Sequence, residues 1–170
     1  MPISASLIID TEVASDLKNY ILGLPKFPYA LGLTPGESID LGNIVEKTAN
    51  FSNVMLDFAR STISYIDPLI DLDFIETSNP AESKKQVYTV NPIATSSDSK
   101  SDTVGYAISR PANSDFVALW LNTEDVNNDM NTIAHETGHT LEIGHPGVKL
   151  IPSYENPTDQ SYSTDDTVIS

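Results

Sequence analysis

Residues 135–147 read HETGHTLEIGHPG, and this short stretch contains all three histidines of the 170-residue chain. The second and third histidines follow the first at offsets of 4 and 10 residues, and the chain has no cysteine. Imidazole nitrogen and thiolate sulfur are the protein ligands that transition metals prefer. Because every such side chain in this sequence lies in one stretch, we take it as the first candidate for a functional site.

The first two histidines have the spacing of a metal-binding helix. His135 and His139 are one turn apart, so on a helix they project from the same face. Both imidazoles can then reach one ion at about 2.0–2.1 Å. Glu136 lies beside them and can accept a proton from a metal-bound water without ligating the metal. This His-Glu-x-x-His pattern indicates the active-site helix of a metalloprotease.

The third histidine requires the helix to end before it. In a continued helix, His145 would lie about 15 Å along the axis from His135, too far for one ion to bridge. The helix must therefore end near Leu141, and Gly144 and Pro146 both favour such an end. Three imidazoles leave one position for water, which is the catalytic pattern. We predict one catalytic Zn²⁺ bound by His135, His139 and His145.

The remaining pattern predicts an α+β (mixed α/β) domain whose twisted mixed sheet has about four to five strands. A long first helix is expected from Ser52 to Ile66, and a second begins near residues 127–129 and carries the histidines. Strands are expected at 69–76, 86–90, 105–109 and 116–122.

The domain organisation is expected to be simple. We assign residues 51–170 to the catalytic domain and residues 1–50 to an N-terminal segment packed on it or preceding it, within one compact domain. Prolines interrupt the pattern of the first 35 residues. Lys84 and Lys85 are expected on the solvated surface.

On these residues the chain resembles the metzincins, and among them the serralysin-like secreted zinc proteases. The resemblance covers about residues 50–170 and implies a zincin fold, with His135, His139 and His145 as zinc ligands and Glu136 as the general base. It also implies that Gly105, Tyr106 and Ala107 form an edge strand along which a peptide substrate lies antiparallel.

The sequence departs from the family pattern at two positions. Glu142 stands where the family motif has glycine, which lets the chain turn sharply. Ile169 occupies the position of the methionine in a turn beneath the zinc. That methionine does not ligate the metal, so an isoleucine of similar bulk can serve there.

These features predict a zinc-dependent endopeptidase that acts on peptide or protein substrates. The alternative is a catalytically impaired metzincin-like binding or scaffold module, which the substitutions at Glu142 and Ile169 favour. The resemblance implies secretion, although residues 1–16 lack the basic region of a signal peptide. A monomer is expected.

Composition excludes several other functions. Nine basic and 24 acidic residues give a formal charge of −15, which should repel nucleic acid and anionic membrane surfaces. The longest apolar runs, such as residues 116–121, are too short to span a bilayer. Residues 122–131 offer oxygen ligands for Ca²⁺, although a loop followed by a helix N-cap explains the same residues more simply.

Overall fold

The computed structural model describes residues 26–40, 45–70, 72–90, 105–109, 116–121 and 125–141. Within these ranges the mixed α+β class predicted from the sequence is confirmed. The helices are α1 (Asn53–Ile66) and α2 (Val126–His139). The strands are β1 (Phe27–Leu31), β2 (Ser38–Asp40), β3 (Val45–Lys47), β4 (Phe74–Glu76), β5 (Lys85–Val90), β6 (Gly105–Ser109) and β7 (Phe116–Leu121). Two single turns of 3-10 helix, Asp67–Leu69 and Pro80–Glu82, connect them.

Among the described residues, the main sheet has five strands in the order β4-β1-β5-β7-β6. Neighbouring strands are parallel from β4 to β7, and β6 pairs antiparallel with β7. Among the described strands, β6 therefore lies at one edge of the sheet. The strands β2 and β3 form a separate antiparallel pair.

The central strand β5 separates two apolar clusters, because successive side chains of a strand point to opposite faces. Val87 packs on the face that the two helices cover, whereas Tyr88 and Val90 pack on the other face. The helix-side cluster contains Phe51, Met55, Ala59, Val87 and Ile133. The opposite cluster contains Ile39, Tyr88, Val90 and Val117.

The helix α1 forms where the sequence predicts it. Ser52 is its N-cap, and the side-chain oxygen accepts a hydrogen bond from the Met55 N–H at 3.3 Å. Met55, Ala59 and Ile63 recur at intervals of four residues and are the buried positions of the helix. The apolar stripe thus fixes α1 against the sheet.

The helix α2 begins at an aspartate cap. The side chain of Asp125 accepts hydrogen bonds from the N–H groups of Asn127 and Asn128, at 3.0 and 3.2 Å. The buried face of the helix is mostly polar and comprises Asp129, Thr132, Ile133, Glu136, Thr137 and Gly138. Within the described part of the chain, neither helix has the length and apolar character needed to span a bilayer.

The strand predicted at residues 69–76 is shorter than expected. The chain continues from α1 into the 3-10 turn at 67–69, and β4 begins only at Phe74. The Asp67 carboxylate accepts the Phe74 N–H at 2.9 Å and closes this connection. Leu69 and Ile70 are exposed, so the apolar alternation there does not mark a strand. The three other predicted strands agree with β5, β6 and β7 to within one residue at each end.

The strand β1 was not predicted, and it lies inside the sheet. It pairs with β4 on one side and β5 on the other, so the sheet contains strands from both sides of residue 50. Pro28 weakens the strand signal of this stretch, because a proline argues against a central strand. The Pro28 carbonyl still accepts the Lys84 N–H at 2.7 Å, although proline has no N–H of its own to donate.

Candidate metal centre

The helix α2 brings the first two predicted zinc ligands together. The Nε2 atoms of His135 and His139 are 3.0 Å apart, and the two rings are nearly perpendicular with centroids 4.6 Å apart. Two nitrogens bound to one tetrahedral zinc at about 2.0–2.1 Å would lie about 3.3 Å apart. The same separation also fits a hydrogen bond between one protonated and one unprotonated ring nitrogen. The two Nε2 atoms are therefore close enough to bind one ion.

The third predicted ligand, His145, lies outside the described residues, as do Glu142 and Ile169. Within residues 26–141, leaving aside the gaps given above, no group of three metal-ligating side chains is found. The pair His135 and His139 is thus the part of the predicted ligand set that the structure describes. It fits zinc in residue type and in the distance between its donor atoms, and the third ligand stays a prediction.

The end of α2 agrees with the predicted stop near Leu141. The helix ends at His139, and Thr140 caps it with its N–H directed to the carbonyls of Glu136 and Gly138. The Leu141 N–H then donates to the Gly138 carbonyl at 2.9 Å, which tightens the last turn. The helix therefore ends six residues before His145, as a return of that side chain to the metal requires.

Glu136 lies on the buried side of α2 and is only 6% exposed. Burial raises the pKa of its carboxyl to about 7, and a hydrogen bond from the Ala107 backbone N–H partly opposes that rise. A carboxyl group that titrates near neutral pH can both accept and return a proton, which is what a general base in hydrolysis must do. Glu136 thus has the environment that its predicted role needs.

The strand β6 carries the three residues predicted to bind substrate, Gly105, Tyr106 and Ala107, all half-buried. At the free edge of a sheet, backbone groups that do not pair with the neighbouring strand can bind an added strand. The side chain of Tyr106 packs against the cluster on the sheet face opposite the helices. Burial, and secondarily the charge of Glu46, raise the pKa of its hydroxyl to about 12. The backbone of Tyr106 therefore lies in the edge strand, whereas its side chain packs as a neutral group against the core.

Residues 122–131 were considered above as a source of oxygen ligands for Ca²⁺, and the structure describes this stretch only from residue 125 onward. There, Asp125 uses its side chain to cap α2, which is the simpler explanation given above. As noted, the described residues contain no group of three ligands, and this holds for residues 125–131.

The buried position of Lys85 next to the end of α2 was not predicted from the sequence. Lys85 was expected on the surface, but the structure corrects this: the side chain is 1% exposed and its Nζ donates to the Thr140 Oγ1 at the end of α2. Burial lowers the pKa of the amine to about 7. The available signal was its spacing, because Lys85 and the core residue Val87 lie two positions apart and so share one face of β5.

Comparison with models of known protein families finds no match for this chain, and comparison with curated protein sequences finds no significant match either. The motif and the geometry of the site are therefore what indicate a function for this chain.

Proposed function

We propose that this chain is a zinc-dependent endopeptidase. The observation that carries the proposal is the arrangement on α2, where the Nε2 atoms of His135 and His139 converge to 3.0 Å beside the buried carboxyl of Glu136. Packing alone does not explain the glutamate at position 136, because burying a carboxyl group in place of an apolar side chain is unfavourable.

The fold supports a metzincin-like zincin, which is the finer part of this proposal. A long helix, α1, precedes β4, and the antiparallel edge strand β6 is followed by β7 and then by the histidine helix α2. This is the order of elements that the resemblance to the metzincins implies. The edge strand β6 also lies against α2, since the backbone of Ala107 contacts Glu136.

In the proposed site, His135, His139 and His145 would hold the ion. Bound there, zinc would supply Lewis acidity towards the scissile carbonyl and the attacking water. Glu136 accepts one proton as the water oxygen adds to the carbonyl carbon. It then gives that proton to the leaving nitrogen as the C–N bond breaks, so the products are one carboxyl group and one amine.

The edge strand β6 orients the substrate in this proposal. The backbone groups of Gly105 and the carbonyl of Ala107 bind an extended peptide by main-chain hydrogen bonds, while the Ala107 N–H donates to Glu136. These bonds hold the scissile bond without demanding a particular side chain. The acidic character of the chain, with a formal charge of −15, favours peptides that carry basic residues. Secretion and a monomeric state remain part of the proposal.

The test is the substitution Glu136→Gln. The amide keeps the size of the side chain but cannot accept the proton, so zinc content should persist while cleavage of a quenched peptide falls by roughly 10²- to 10⁴-fold. Zinc content is measured by mass spectrometry on the purified full chain. Retained cleavage would refute the role of Glu136. Stoichiometric zinc without cleavage in the unsubstituted protein would instead support the alternative, a binding or scaffold module.

A further inference from the structure

Lys85 occupies an unusual position for a lysine. It is the first residue of β5, the middle strand of the sheet, and its neighbours in register are Tyr29 of β1 and Phe116 of β7. Its side chain is fully buried on the face of the sheet that the helices cover. The residue thus extends from the centre of the sheet towards α2.

The Lys85 side chain ends at the last turn of α2. Its Nζ donates to the Thr140 Oγ1, and the Thr140 hydroxyl donates in turn to the Thr137 carbonyl at 2.7 Å. The Thr140 N–H donates to the Glu136 carbonyl at 3.1 Å. A continuous series of hydrogen bonds therefore joins the sheet to the residues that flank His139.

Two separate contacts set the position of α2 along β5. Val87 packs with Ile133 in the helix-side cluster, and Lys85 contacts Thr140, seven residues further along the helix. The apolar contact resists separation of the helix from the sheet, but it is non-directional. The hydrogen bond to Thr140 has a preferred distance and angle, and so it fixes the last turn.

We propose that Lys85 is a positioning residue of the zinc site, holding the final turn of α2 so that His139 faces the same ion as His135. This inference rests on the proposed function. Lys85 does not touch the metal or the substrate in this scheme; it acts through Thr140.

Packing alone does not explain a lysine at this position. Burial by itself accounts for the lowered pKa of Lys85, so the surroundings disfavour its charged form. A methionine would fill a similar volume without an amino group to bury, and replacing buried polar or charged groups by apolar ones is often neutral or stabilising. A positioning role therefore predicts that stability and zinc affinity respond differently to the same substitution.

The experiment compares zinc affinity and stability in variants of the 170-residue chain. Zinc affinity is measured by competition with a chromophoric chelator, and the stability of the metal-free protein by thermal unfolding. For Lys85→Met and Thr140→Val we expect zinc affinity to fall on the order of tenfold, a size typical of groups that orient metal ligands. The unfolding temperature of Lys85→Met should stay the same or rise. Thr140→Ser keeps the hydroxyl and should bind zinc as the unsubstituted protein does.

Thr132→Val is the matched control. Thr132 is also buried on α2, and its hydroxyl donates to the Asn128 carbonyl at 2.9 Å. In the part of the chain that the structure describes, no hydrogen bond joins Thr132 to Lys85. Equal losses of affinity in Thr132→Val and Thr140→Val would overturn the inference, as would unchanged affinity in Lys85→Met and Thr140→Val. In either case zinc binding by the unsubstituted chain would leave the proposed function standing. Absence of zinc binding in that chain would overturn both. If Lys85→Met does not fold, the comparison of the two valine variants decides.

Discussion

Glu136 and Ala107 are joined across the boundary between helix and sheet, because the backbone N–H of Ala107 donates to the carboxylate of Glu136. One residue is the predicted general base and the other belongs to the strand predicted to bind substrate. A single hydrogen bond therefore connects the proton-transfer group to the element that would orient the peptide.

The substitution Ala107→Pro tests this connection. Proline removes the N–H that Glu136 accepts, and an edge strand tolerates proline better than a central one. We expect kcat/KM for a quenched peptide to fall roughly 10- to 100-fold, because the carboxylate is no longer held in place. Ala107→Gly keeps the donor and is the control. Equal activity of the proline and glycine variants would show that the hydrogen bond has no part in catalysis.

Metal removal tests the histidine pair directly. A chelator should destabilise the unsubstituted protein, since a ligand present at about 100 times its Kd stabilises the folded state by about 2.7 kcal/mol. For a chain of this size, that corresponds to a decrease in Tm of about 5–10 °C in a thermal scan. His139→Ala should show no response to the chelator.

The control for that scan is Asn131→Ala, an exposed position on the same helix. It should respond to the chelator as the unsubstituted protein does. A chelator response retained in His139→Ala would mean that the stabilising ion lies elsewhere in the chain.

Core packing beneath the site gives a prediction on stability. Ile133 of α2 is completely buried, and it packs in the same apolar cluster as Val87 of β5. Truncation to alanine leaves a cavity, and Ile133→Ala should lower the free energy of unfolding by about 2–5 kcal/mol. Val126→Ala, at an exposed position of the same helix, should change it by less than about 0.5 kcal/mol. Chemical denaturation of the metal-free protein measures both, and similar values for the two variants would contradict the assigned core.

The sequence allowed both described helices to be predicted because each carries its own signals. Ser52 and the stripe of Met55, Ala59 and Ile63 mark α1, and the acidic and amide residues before α2 mark its start. The spacing of His135 and His139 likewise determines their proximity, since it needs only the helix itself. Local pattern is sufficient where the structure is local.

The strand β1 and the contact between Lys85 and Thr140 could not be predicted in this way. The strand β1 is defined by pairing with β4 and β5, which follow it by more than 40 residues, and Pro28 removes the local signal. Lys85 contacts Thr140, 55 residues away, and a pair of adjacent lysines ordinarily indicates a solvated surface. Contacts between residues far apart in the sequence determine both features, and local sequence patterns do not predict such contacts.

The buried amine of Lys85 should make stability depend on pH above neutrality. Its pKa is about 7 in the folded protein, against 10.5 for an ordinary lysine. Between these two values the unfolded chain binds more protons than the folded one, so the free energy of unfolding rises with pH. Lys85→Met lacks this contribution, and the stability difference between the two proteins should change in favour of the unsubstituted chain from pH 7 towards pH 9.5. Denaturation of the metal-free proteins at several pH values measures that difference. Lys47→Met, which replaces an exposed lysine, should show no such change, and a pH-independent difference for Lys85→Met would mean that its amine is protonated alike in both states.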